Sequence, residues 1–225
     1  MSRAVARAAL LLLAAAACNG DGEALLDRAA PTSTSTSSTV ATTTTSSVTT
    51  TTAAPTSTTA APKLVPRYVF PVQGGGSYSQ THAAYPATDI FARCGTPVVA
   101  VTDGRVDELS RVDRWDPAND NPALRSGLFV SLVGDDGVRY YGSHFSEVAA
   151  GLSAGSRVGA GDLLGRIGQT GNARGRPCHV HFGISPPTGP GDWEVRRGVV
   201  WPWRYLDSWK AGGQLSPREE VLNTG

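Results

Sequence analysis

The chain has 225 residues, of which 40% are hydrophobic and 17% charged, and its formal net charge is +1. A balance this close to neutral, with no basic block and no basic residues interleaved with aromatics, lacks the electrostatic footprint of a nucleic-acid binder, so nucleic acid is excluded as an expected partner. The length accommodates one ordinary domain with attachments, because aromatic, charged and β-branched residues mix only from about Lys63 onward.

At the start, Arg3 and Arg7 precede an apolar run over residues 8–17 and then Cys18. This resembles the charged, hydrophobic and cleavage regions of a secretory signal, with an apolar stretch too short to span a bilayer. Ala15-Ala16-Ala17-Cys18 resembles a bacterial lipobox, with Ala15 standing where Leu is usual. In that reading residues 1–18 are a signal, Cys18 takes a lipid, and the protein sits on the outer face of the cytoplasmic membrane. The alternative is ordinary cleavage after an Ala-x-Ala sequence, which releases a soluble exported protein. The cysteine count favours the lipid: with Cys18 modified, an even pair remains, Cys94 and Cys178. Export permits that pair to form a disulfide, and two buried free thiols are the other reading.

Residues 29–62 contain only Ala, Pro, Ser, Thr and Val. Such a segment cannot bury enough apolar surface to offset chain entropy, so residues 19–62 are expected as a disordered spacer. The domain expected over residues 63–212 reads as all-β: antiparallel sheets with one grooved face. Strand-like segments fall at residues 96–101, 104–109, 128–133, 139–144, 163–168 and 179–184, separated by Gly, Asp and Pro. Helical periodicity is confined to a turn around residues 146–150 and to residues 203–211, and residues 213–225 are expected as a C-terminal tail.

All four histidines lie in this domain, and two of them stand as His179-Val180-His181 in a strand-like segment. Residues two apart in a strand share a face, so both imidazoles can approach one metal ion or one reacting group. Asp89 opens an apolar run upstream, and His144 ends another predicted strand. Two imidazoles, a carboxylate and a water make an open zinc site, with other histidines left to act on substrate.

Several short motifs recur in one order along the chain: Asp89-Ile90-Phe91-Ala92, the Gly-Thr-Pro from Gly95, Asp103-Gly104, Tyr141-Gly142-Ser143-His144, the Gly-Asp-Leu-Leu-Gly ending at Gly165, Gly168-Gln169-Thr170-Gly171, and His179-Val180-His181-Phe182. Together they resemble the lysostaphin/LytM-type zinc metalloendopeptidases over about residues 71–185. The resemblance implies one zinc ion, held by Asp89 and His181, and a peptidoglycan peptide as substrate. It assigns His144 and His179 as catalytic, sharing proton transfer from the attacking water and stabilisation of the tetrahedral oxyanion. The chain departs from the family at the first ligand, where the usual pattern is His-x-x-x-Asp and Tyr85 occupies the His place. His82 is the candidate third ligand, provided the residues between it and Asp89 bulge; the alternative is an exposed loop histidine. The rival expectation for the whole chain is a catalytically inactive LytM-like lipoprotein that binds wall or activates hydrolases.

Two loops are expected beside the groove. The Gly-rich residues 168–176 precede His179, and the long polar insertion at residues 111–126 carries Asp113, Asp116 and Asp120, acids that would favour amino-bearing peptides. Four of the five tryptophans fall in residues 193–209 and are expected to seal the domain.

Overall fold

The computed structural model describes residues 67–224. The expected signal, Cys18 and the spacer lie outside the described residues. Eight strands form one antiparallel sheet: β1 (Thr88–Phe91), β2 (Pro97–Val99), β3 (Gly104–Ser110), β4 (Leu128–Gly134), β5 (Arg139–Val148), β6 (Arg157–Val158), β7 (Leu163–Ile167) and β8 (His179–Ser185). The order is β1-β8-β5-β4-β3-β6, with β7 joining β2 to β5. Three short helices follow: α1 (Trp193–Arg196), α2 (Trp203–Lys210) and α3 (Arg218–Leu222). The all-β expectation matches this architecture.

Alternation along β8 explains why the sheet has a core face and a site face. Val180, Phe182 and Ile184 enter a core shared with Ile90, Val130, Leu132, Phe145 and Ile167, while His179 and His181 point to the opposite side. That opposite side is covered by the segment after α1, and β8 is therefore buried throughout. The close approach depends on Gly183: a Cβ there would collide with the carbonyl oxygen of Arg197.

The helical turn expected around residues 146–150 is corrected. β5 continues through Val148, and Phe145, Glu147 and Val148 pair with Ile167, Arg166 and Gly165 of β7. The ladder satisfies the backbone groups that a helical turn would have used, and it buries Phe145 and Val148. Helix α2 forms where expected, behind Pro202, and buries Tyr205, Leu206 and Trp209. Trp209 stacks on Tyr68 with ring centroids 5.4 Å apart. Residues beyond 212 fold back: the Gln214 amide bonds both the N–H and the C=O of Tyr68, and α3 buries Val221.

Cys94 and Cys178 are joined in a disulfide across 84 residues of sequence. It links the segment after β1 to the residue just before His179.

Candidate metal centre and catalytic cleft

Asp89 of β1 lies directly opposite His181 of β8, and His181 lies opposite Ser143 of β5. Cross-strand partners share a face, so antiparallel register alone delivers the carboxylate to the imidazole. Asp89 Oδ1 is 3.1 Å from His181 Nδ1 and 3.6 Å from His82 Nε2. One donor atom from each of the three side chains lies within 4.8 Å of the others.

His82 reaches this group from outside the sheet. A turn closes between the Tyr85 N–H and the His82 carbonyl at 3.4 Å, and Ala83 adopts a positive φ of 25°. The seven-residue step to Asp89 is thus taken up by an irregular loop. Tyr85 packs edge-on against His82, 4.7 Å between centroids, beside the cluster.

The chemistry of the donors fits a cation. His181 Nε2 is 2.9 Å from the Arg197 carbonyl oxygen, which can only accept, so Nε2 carries a hydrogen. In a neutral imidazole Nδ1 is then a bare lone pair, and it faces a carboxylate oxygen. Two acceptors at that distance need a second proton or a metal ion between them. Donors about 2.1 Å from one tetrahedral zinc stand roughly 3.4 Å apart, which the observed spacings bracket. The Arg197 carbonyl is the kind of outer partner that would fix a ligand imidazole, a group that sequence could not identify.

His144 reaches the site by a different device. Leu128 and Phe129 of β4 pair with Phe145 and Ser143 of β5, so His144 is an extra, bulged residue. Its φ of 67° is left-handed, which costs a residue with a Cβ. Regular alternation would put His144 on the core side with Tyr140; the bulge turns it outward and gives the core position to Phe145. The His144 ring lies 5.0 Å from His179 and 6.2 Å from His181.

Both outer imidazoles are held in one tautomer. His144 Nδ1 donates to the Thr170 carbonyl at 2.9 Å and His179 Nδ1 to the Pro177 carbonyl at 2.8 Å. In its uncharged form each ring therefore keeps a free Nε2 lone pair. Burial, with His181 and His179 nearby, pushes His144 down to about 3, so it stays neutral at ordinary pH. His82 is also lowered, by burial and by His181, against the opposing pull of Asp89. Burial raises Asp89, but the adjoining His181 and the nearby His82 and His179 imidazoles outweigh it and hold the carboxyl below its ordinary value.

The four histidines and Asp89 line one cleft of about 570 Å³. The long insertion does border it, but its acids do not face the substrate space as expected. Asp120 is taken by the Arg125 guanidinium at 2.8 and 2.5 Å and by the Trp115 indole, and Asp113 by Arg174 and the Gly171 N–H. The insertion instead contributes Pro122, Arg125 and Ser126 to the wall. Residues 168–176 supply Asn172, Ala173 and Arg176, and α1 with its exit supplies Trp193 and Arg197. Sequence gave no signal for Arg197: in Trp193-Glu194-Val195-Arg196-Arg197 it looks like an ordinary surface charge.

The L-Ala--D-Glu endopeptidase of Bacillus subtilis (strain 168) is 25% identical over 131 residues, 56% of this chain and 35% of that protein. The glycyl-glycine endopeptidase ALE-1 of Staphylococcus capitis is 31% identical over 116 residues, 51% of this chain and 26% of that protein. The chain thus spans about a third or less of the length of these relatives. The catalytic domain of lysostaphin from Staphylococcus simulans is similar at 25% identity, covering 60% of this chain and 90% of that one, with a TM-score of 0.43. The family model described as Peptidase family M23 matches residues 84–192, the stretch that holds Asp89, His144, His179 and His181, and this stretch is a domain of the lysostaphin/LytM type.

Proposed function

We propose that this chain is a zinc-dependent endopeptidase that hydrolyses peptide cross-links of bacterial peptidoglycan. The observation that carries the reading is the facing pair of acceptors, His181 Nδ1 and Asp89 Oδ1, with His82 in reach and the His144 and His179 imidazoles beside them. His82, Asp89 and His181 would hold the ion. Zinc there would supply Lewis-acid polarisation of the scissile carbonyl and a water of lowered pKa.

The rest belongs to the chain's own residues. As water adds to the amide carbon, a free Nε2 of His144 or His179 accepts its proton. The protonated ring then donates, first as a hydrogen bond to the developing oxyanion and later as the proton that the departing amine takes when the C–N bond breaks. Because each Nδ1 is anchored to a carbonyl, neither ring has to reorient during this exchange. Cleft walls from residues 111–126 and 168–176 hold the extended peptide against the histidines.

The test joins two measurements on the purified chain: zinc content, and release of new amino groups from purified wall. One equivalent of zinc with amine release supports the reading. Zinc without release points instead to a silent wall-binding relative, and absence of both ends the proposal.

Export and tethering complete the reading. With Cys94 and Cys178 paired, Cys18 is left as the third, odd cysteine, which supports its use as a lipid-bearing residue. Labelling with a radioactive fatty acid that disappears in Cys18→Ala would support the anchor; unchanged labelling would remove it.

A further inference from the structure

Arg197 stands where the segment after α1 crosses β8. Its backbone carbonyl accepts from His181 Nε2, while its side chain lines the cleft. The guanidinium carbon is 4.0 Å from the Tyr85 ring centroid and 5.0 Å from that of Trp193, so the cation packs against two aromatic groups. Its Nε is buried and has no partner. Among the described residues no carboxylate lies within ion-pair distance of this guanidinium.

A second guanidinium without a carboxylate partner, Arg176, lines the same cleft from its exposed rim, and a third, Arg125, is neutralised by Asp120. Asp89 is the single carboxylate among the described lining residues, and it faces the histidines. The substrate space is therefore electropositive even before a cation is added. A partly buried, unpaired cation is costly to maintain. A planar guanidinium with vacant donors is also matched to one ligand class, a carboxylate bound through two parallel N–H···O bonds.

We infer that Arg197, assisted by Arg176, is a specificity element that selects peptides carrying a free carboxylate beside the scissile bond over neutral peptides of the same length. The inference rests on the reading of this cleft as a peptidase site. Tyr85 touches both the Arg197 guanidinium and the His82 ring, so the carboxylate sits within a residue or two of the bond that is cut. An oligoglycine bridge offers no such charge, whereas a stem peptide with γ-linked D-glutamate does.

The experiment uses the full chain and two synthetic stem peptides that differ only at the glutamate α-carboxyl, free acid in one and amide in the other. The kcat/KM ratio of acid to amide should be on the order of tenfold to a hundredfold, the value of one charge-assisted pair in a desolvated site. In Arg197→Gln it should fall to near one; in Arg197→Lys, which keeps the charge but loses the fork, it should be intermediate. Arg176→Gln, at an exposed position, should lower the ratio by a few-fold and guards against a folding defect in the first variant. An equal ratio in wild type and Arg197→Gln, or no preference in wild type, overturns the inference. Should neither peptide be cut, the peptidase reading fails separately, and calorimetric binding of the same two peptides decides this one: tighter binding of the acid that vanishes in Arg197→Gln supports it, and equal binding overturns it.

Discussion

Asp89, His179 and His181 stand on the β1-β8 ladder, where pairing and period two determine which way each side chain points. His82, Arg197 and the two wall loops stand on segments with no repeating geometry, held by individual turns and hydrogen bonds. His144 is between these cases, since it belongs to a strand but reaches the site through a bulge. The ladder presents groups in fixed relation, and the irregular segments decide how many donors the cluster has and what charge the cleft shows. Substitutions in the first region should therefore abolish chemistry outright, and those in the second should grade it.

The sharpest break is within the ladder itself. His181→Ala should lose both zinc and turnover, while His179→Ala should keep its zinc and lose about 10²–10⁴ in kcat. Metal analysis beside single-turnover kinetics reads both, and equal metal loss in the two variants would cancel the division of roles. His82→Ala is the corresponding break in the irregular region. It should weaken zinc binding by at least about 100-fold, more than the loss of an outer partner does, as measured by competition with a chelating dye. Unchanged affinity would return His82 to being a loop histidine.

The same contrast explains what could be read in advance. His-x-His in a strand states its own geometry, and six strands were legible from apolar runs between Gly and Asp signals. The extension of β5 was not, because residues 146–150 look helical until β7 arrives to pair with them. Nor was the manner in which His144 reaches the site, since simple alternation puts it on the core side. Arg197 was invisible for another reason: its environment is assembled by Tyr85 and Trp193, 112 and 4 positions away along the chain. The carboxylates of the insertion were legible as charges, but not as charges already paired within the loops.

The disulfide joins the two kinds of region, from the segment after β1 to the residue before His179. Replacing Cys94 and Cys178 together by Ala should cost up to about 4.5 kcal/mol, the chain-entropy value for a loop of this length, read from urea denaturation. A loss below about 1 kcal/mol would mean that the ladder positions His179 without the crosslink. A smaller effect tests the bulge. At a φ of 67°, His144→Gly should be more stable than His144→Ala by about 1 kcal/mol, the reverse of the usual order in strands, with both variants impaired in turnover. If Ala is the more stable, the left-handed bulge is absent in solution.

The smallest effect concerns the clasp between the two wall loops. Burial pushes the Asp113 carboxyl up, but the Gly171 N–H, the Arg174 guanidinium and the Trp115 N–H together hold it below its ordinary value. A carboxyl depressed in the folded state stabilises that state fully above its unfolded value, near pH ~4, and the stabilisation is lost as pH falls from there through the folded value. The clasp is partly exposed, so its worth should stay below about 1 kcal/mol. The gap in thermal midpoint between wild type and Asp113→Asn should then be constant from neutral pH down to about 5 and close as the medium is acidified further. A gap that widened with acid would mean that Asp113 is not held as an anion, and the loops would have to owe their positions to the ladder after all.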